Sequence, residues 1–219
     1  MIRAWLELVV LFLLCGTCLF ASAGRMSWPA GWAYLAILAA FTAGSFALVE
    51  TDLIRERAAP GPGSDRKDAL LASLGFIGLY PGTLLVAGFD AGRGGASIPL
   101  AGQALAFAVF AGGYGFALWA MRANRFFSTF VRIQDDRGHR VISSGPYAWV
   151  RHPGYAGMLI AHVALPLALG SVWAFVPALL GVLLFVLRTA NEDRVLSERL
   201  AGYGEYRTRV RWRLVPGVW

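Results

Sequence analysis

The 219-residue sequence predicts an all-α integral membrane protein with about five to six transmembrane helices, the last two forming a helical hairpin and a polar cap lying on one face. Three observations carry this. The chain is 57% hydrophobic and 15% charged, where soluble domains average about 25% charged. Its apolar residues gather into runs close to the ~20 residues that a helix needs to cross a bilayer. Of its 20 basic residues all but Lys67 are Arg, and most of them edge those runs. The same composition excludes a disordered chain, a coiled coil and a disulfide-stapled secreted module. A net charge of +7 in a soluble domain would raise nucleic-acid binding; orientation in a bilayer accounts for it here, so no nucleic-acid partner is expected.

Taken in order, four apolar runs read as spans: Leu8 to Ala23, Trp28 to Val49, Ala69 to Phe89 and Leu100 to Met121. The first, with Arg3 ahead of it and Ala21-Ser22-Ala23 at its end, has the look of a signal peptide. Glu7 and a second span only a few residues on favour an uncleaved anchor. Cys15 and Cys18 in this run read as small packing residues with no metal or redox chemistry. Ala58 to Ser64, rich in Pro and Gly, reads as a loop, and so does Gly88 to Ser97. After a polar stretch come Tyr155 to Leu169 and Val172 to Leu187, split by Gly170-Ser171 with Pro166 just before. Helices of about 16 residues reach ~24 Å against a hydrocarbon core of ~30 Å, so this pair reads as a tight hairpin that returns to the side it left.

That parity puts Arg122 to Arg151 and the tail from Arg188 to Trp219 on one face. With the amino terminus on the same face, only Arg25 and Arg93 of the 20 basic residues fall on the other. The positive-inside rule then makes both termini cytoplasmic, in the inner membrane if the cell is bacterial. Residues 1–121 form four spans without a motif, and residues 122–219 hold the polar chemistry, with hairpin 155–187 and the tail.

The first polar stretch runs Arg132-Ile133-Gln134-Asp135-Asp136-Arg137-Gly138-His139-Arg140-Val141-Ile142, then Ser144-Gly145-Pro146-Tyr147-Ala148-Trp149-Val150-Arg151-His152-Pro153-Gly154-Tyr155-Ala156-Gly157. Pro153 forces a non-helical entry at His152, and the free N–H groups of the helix that follows favour an anion beside Arg151 and His152. Gly154 and Gly157, one turn apart, permit close approach of a ligand or a helix. The second stretch places Arg188 and Glu192 at i, i+4, with Asp193 beside them. Other residues read blandly. Trp149 belongs to an interfacial aromatic belt, Arg207, Arg209, Arg211 and Arg213 meet lipid head groups, and His162 hydrogen-bonds a neighbouring helix.

Together with His139 before it and Glu192-Asp193 and Gly202-Tyr203-Gly204-Glu205-Tyr206 after it, the Ser144 to Gly157 string resembles the isoprenylcysteine carboxyl methyltransferase family and the related phospholipid methyltransferases. The resemblance covers about Asn124 to Pro216, and its core is the RHPxYxG string with the downstream acidic pair. It implies a membrane enzyme that binds S-adenosylmethionine under a cytoplasmic cap and methylates a lipophilic acceptor drawn from the bilayer. Carried over residue by residue, the cofactor positions are Gln134, His139, Arg140, Val141, Ile142, Tyr147, His152, Pro153, Gly154 and Tyr155, with Glu192 closing the pocket; Arg188 matches the arginine that faces the acceptor. Asp193 stands where the family commonly has a second Glu. No metal is implied, and the first four spans would form the acceptor side.

The residues suit that chemistry. A sulfonium, an ammonium, a carboxylate and an adenine call for carboxylates, cations and aromatic faces together: Glu192 and Asp193 for the ammonium, His152, Arg140 or the helix start for the carboxylate, Tyr147 for the adenine or sulfonium. An ionised carboxylate acceptor needs no general base and would be oriented by Arg188; an amine acceptor, as in N-methylation of phosphatidylethanolamine-type lipids, would need His152 or Glu192 as base. No Gly-x-Gly-x-x-Gly follows a strand, which excludes a soluble Rossmann methyltransferase. A small transporter or sensor would be expected to place more polar residues at mid-membrane depth, and a haem oxidoreductase needs an axial pair that one intramembrane histidine cannot supply.

Overall fold

Apolar runs that must hide their backbone polar groups from lipid have to be helical, and prolines set several of the starting points. A computed structural model describes residues 2–58, 66–95 and 98–219, and no strand occurs among them. The order is α1 (Ile2–Ala23), α2 (Pro29–Leu48), the short α3 (Thr51–Ala58), α4 (Arg66–Ile77), α5 (Thr83–Gly92), α6 (Leu100–Ala123), α7 (Pro153–Ala168), α8 (Phe175–Arg199) and α9 (Tyr203–Arg209). Pro29 and Pro153 occupy the first helical position, where the missing N–H costs nothing and φ is already helical. The protein is an all-α membrane protein. Four helical segments are long and apolar enough to cross a bilayer, Pro29–Leu48, Asp68–Gly92, Leu100–Ala123 and Phe175–Arg199, with shorter apolar helices at Leu8–Ala23 and Pro153–Ala168.

Several expectations change. The third span is longer than its apolar run, because α4 and α5 are continuous through a π-helical turn at Gly78–Gly82 that contains Pro81. Proline lacks the N–H and crowds the carbonyl four residues back, so the turn widens there; the Thr83 hydroxyl donates to the Gly78 carbonyl at 2.8 Å in compensation. Gly88 to Gly92, expected in a loop, complete α5 and lie against α1, where a Cβ on Gly88 would stand 2.4 Å from the Leu19 carbonyl. The second arm of the hairpin does not stop at Leu187 but continues as helix to Arg199. Charge ends a hydropathy run without ending a helix, and Arg194 to Glu198 at 3.3 Å is an i, i+4 pair of the kind that sustains one. The first arm begins at Pro153, two residues ahead of its apolar run. Of the expected loop Ala58 to Ser64, residues 59–64 lie outside the described residues.

Packing fixes where the site sits. Gly113 of α6 and Gly157 of α7 face each other so closely that a Cβ on either would lie 2.5 Å from the other's carbonyl oxygen. Gly157 therefore serves helix approach, and Gly154 lies against the Phe127 ring. Tyr34, Leu38, Leu79, Leu84, Phe110 and Leu165 fill the core, while Leu13, Leu105, Leu179 and Leu183 point outward on a lipid-facing belt. Cys15 and Cys18 are buried thiols, and Cys15 Sγ accepts the Tyr34 hydroxyl at 3.6 Å. His162 bonds the Met158 carbonyl of its own helix at 2.9 Å rather than a neighbouring helix. The end of α2, the start of α4, the end of α6, the start of α7 and the end of α8 meet at one end of the bundle, together with α3, α9 and the tail.

Candidate active site

Nine of the residues singled out in the sequence line one narrow cleft at that end: Gln134, His139, Arg140, Val141, Ile142, Tyr147, His152, Tyr155 and Glu192. Pro153 does not line it, and Gly154 faces the adjoining chamber instead. Asn124 and Phe126, which the sequence reading did not single out, and Tyr203 and Tyr206, which it quoted in the motif without assigning them to the cofactor, also line the walls. The loop carrying the first residues is tied to itself. Gln134 Nε2 donates to the Phe126 carbonyl at 2.7 Å, Arg137 donates to Gln134 Oε1, and the Gln134 backbone N–H donates to His139 Nδ1 at 3.3 Å. The amide of Gln134 is thus spent on the loop. Burial against Phe126, 4.7 Å away ring to ring, pulls the His139 pKa down to about 4, so it is a neutral ring at pH 7. Tyr147, its phenol pushed up by burial, accepts from Asn124 Nδ2 at 3.2 Å, and its carbonyl accepts from Tyr206 at 2.7 Å. Arg140 stays exposed at the rim.

The anion expected at the start of α7 is present and belongs to the chain itself. Asp193 Oδ1 and Oδ2 take Arg151 Nε and Nη2 at 2.7 and 3.1 Å, His152 Nε2 lies 3.3 Å from Oδ1, and Tyr203 and Arg213 add bonds of 2.9 Å each. With its carboxylate saturated, Asp193 is not free to meet an ammonium, a correction to the sequence reading. Arg213 likewise turns inward to Asp193 instead of joining Arg207, Arg209 and Arg211 on the exposed surface. The same cluster docks the tail. Arg151 Nη1 donates to the Val210 and Arg211 carbonyls, and the Arg151 and His152 N–H groups donate to Trp212 and Arg213, each at 2.9 Å. The backbone donors at His152 are therefore occupied by the chain. Trp149 is exposed and stacks on Phe116 at 6.4 Å.

Behind the cleft lies a second cavity of ≈ 630 Å³, mostly apolar. Leu11, Leu38, Phe41, Phe76 and Met158 are among its walls, with Arg57 and Arg188 as its charged residues. Cleft and chamber share one partition, formed by Phe127, Ser128, Phe130 and Tyr155. Tyr155 connects the two chemically: its hydroxyl donates to Glu192 Oε2 at 2.6 Å, and the Arg188 guanidinium lies 5.3 Å from its ring centroid.

Arg188 does not pair with Glu192, one turn away. Its Nε and Nη2 meet the Asp68 carboxylate at 2.8 and 3.1 Å, and Nη2 also donates to the Thr129 carbonyl at 2.6 Å. Asp68 Oδ2 further accepts from the Val131 N–H at 2.9 Å. On the other side Arg132, its charge reinforced by Glu56 and Asp136, donates Nε and Nη2 to the two Glu56 oxygens at 2.8 and 2.9 Å. Acids from α3 and α4 thus clamp the segment that forms the partition. Asp68 and Glu56 went unnoticed in the sequence, where only their position at the edges of apolar runs marks them.

The sequence model described as the Isoprenylcysteine carboxyl methyltransferase (ICMT) family matches residues 104–198. Over 97 residues the chain is also 31% identical to the lamin-B receptor of Drosophila melanogaster, covering 42% of this chain and 13% of that protein. The chain thus spans only a small part of the length of the curated relative it matches. Asn124, Tyr147, His152, Tyr155, Arg188 and Glu192 lie inside the family match, whereas Glu56, Arg57 and Asp68 lie outside it. The match to the isoprenylcysteine carboxyl methyltransferase family thus takes in the stretch from α6 to α8, which builds most of the cleft and carries all four partition residues.

Proposed function

We propose that this protein is a membrane methyltransferase that uses S-adenosylmethionine, held in the cleft, to methylate the carboxylate of a lipophilic acceptor held in the chamber. The observation that carries the reading is the shared partition: a polar, aromatic cleft and an apolar cavity meet at Phe127, Ser128, Phe130 and Tyr155. The donor set suits the cofactor. Glu192 has one oxygen held by Tyr155 and, among the described residues, no partner on the other, which is fit for an ammonium. Arg140, exposed at the rim, is a cation suited to a carboxylate, and Phe126, Tyr147 and the neutral His139 offer ring faces for an adenine. When bound, the cofactor supplies a methyl on a sulfonium; transfer breaks that S–C bond, forms a C–O bond to the acceptor, and yields a neutral ester and the thioether product with no proton moved.

What the chain contributes is position and a dry setting. Arg188 is held by Asp68 and Thr129 through Nε and Nη2, which leaves Nη1 to orient an acceptor oxygen. Tyr155 stands between the two compartments and is fixed from both sides, by Glu192 and by Arg188. The positive-inside distribution supports a cytoplasmic position for this end of the bundle and both termini, with the cofactor entering from water and the acceptor from the bilayer. Calorimetry on the detergent-solubilised protein tests the reading. S-adenosylmethionine and its demethylated product should both bind and raise Tm; no heat and no shift at millimolar ligand would contradict it.

A further inference from the structure

The two arginines of the chamber are in opposite electrostatic states. Arg188 is neutralised through its two bonds to Asp68. Arg57, at the end of α3, has no carboxylate partner among the described residues: Nη1 donates to the Phe127 carbonyl at 3.3 Å and the guanidinium lies 5.2 Å from the Phe127 ring centroid. Glu56, its neighbour in sequence, is committed to Arg132 and Ser128. The Arg188 charge acts on Arg57 as a repulsion, and burial lowers the pKa of Arg57 from its usual value. A guanidinium placed against an apolar cavity without a counter-ion is costly, and such a charge is retained where an anion arrives from outside.

We propose that Arg57 is the anion receptor of the chamber: it holds the negative head of a single-chain lipophilic acid against the Phe127 wall and so selects carboxylate over amine acceptors. The proposal rests on the chamber's being the acceptor site of the methyltransferase proposed above, and it assigns acceptor charge selection to Arg57, leaving Arg188 an orienting role. Geometry favours this division. Phe127 belongs to the partition, and Arg57 holds the partition twice, through Nη1 on the Phe127 carbonyl and through its own carbonyl, which accepts from the Thr129 hydroxyl at 2.9 Å. An anion beside Arg57 therefore lies next to the cleft, and an ammonium there would meet an uncompensated positive charge.

The test compares three 12-carbon probes, laurate, lauramide and dodecylamine, by calorimetry at pH 7.5 on the full chain in detergent, with S-adenosylmethionine binding measured alongside. Wild type should bind laurate at least tenfold more tightly than either neutral or cationic probe. Arg57→Gln should abolish that preference while keeping lauramide affinity within about twofold, which shows that the chamber is still formed. Arg57→Lys, which keeps the charge, should keep the preference, and it carries the test alone if the Gln variant does not fold. Equal binding of laurate and lauramide by wild type, a preference that survives Arg57→Gln, or its loss in a folded Arg57→Lys would each overturn the proposal. Anion preference governed by Arg57 in a protein that fails to bind S-adenosylmethionine would uphold Arg57 as the receptor and overturn the methyltransferase reading instead.

Discussion

Glu192→Gln and Asp193→Asn each remove one charge from adjacent positions of α8, and they should act on different quantities. Asp193 is 1% exposed and holds Arg151, Arg213, Tyr203 and His152. Its loss leaves a buried Arg151 uncompensated and undocks the tail, a cost of about 3–5 kcal/mol read as a large drop in Tm. Glu192 is half-buried and, among the described residues, bonded only to Tyr155, so Glu192→Gln should leave Tm nearly unchanged and weaken S-adenosylmethionine binding by about 1.5–3 kcal/mol in calorimetry. Nothing in the Glu-Asp dipeptide separates the two roles. The partners of Asp193 lie up to 42 residues away, and the partner of Arg188 lies 120 residues away in a segment without a motif. Gln134 to Glu192 were legible as a group because the motif keeps most of them within a short stretch; Asp68, Glu56 and Arg57 were not, because only the fold brings them there.

His139 supplies the pH dependence. Its folded pKa of about 4 lies below its ordinary 6.5, so between those values the unfolded chain binds the proton that the folded chain refuses. The His139 contribution to stability is complete above pH 6.5 and is lost as the pH falls toward 4. Wild-type Tm should therefore decline more steeply over that window than the Tm of His139→Gln, and parallel profiles would place the ring in water.

At the scale of elements, the α6–α7 crossing is a tight constraint on the site, since α7 follows His152 and carries Tyr155. Gly113→Ala would put a methyl 2.5 Å from the Gly157 carbonyl, and Gly112→Ala on the same helix would meet nothing within 4 Å. The first should cost about 1–3 kcal/mol by forcing the helices apart. The second should be neutral or raise stability by up to about 1 kcal/mol through helix propensity. Thermal unfolding of the pair in one detergent checks this, and equal effects would place the close contact elsewhere. Bilayer thickness made the existence of the six apolar helices readable from hydropathy. The π-helical turn and the run of α8 to Arg199 were not readable that way, because both depend on local hydrogen bonding and on charges neutralised by distant partners: Arg188 by Asp68, and Asp193 by Arg151.

For the whole molecule, the arrangement of a polar, aromatic cleft and a mostly apolar chamber on either side of one partition determines what kind of reaction fits. The family match covers residues 104–198, whereas two of the three acidic or basic groups that set the chamber's charge, Arg57 and Asp68, come from the first half of the chain. On the proposed reading acceptor selection is a property of the whole bundle, and methyl transfer across the partition is the claim that joins its halves. The most direct measurement incubates the purified protein with methyl-labelled S-adenosylmethionine and a membrane lipid extract and follows the label into the organic phase. The account predicts label in lipid, released as methanol by mild alkali because the product is an ester, and sharply reduced by Glu192→Gln. Label in lipid that resists alkali would contradict the carboxylate acceptor, and no transfer to lipid from a protein that binds the cofactor would contradict the role of the chamber.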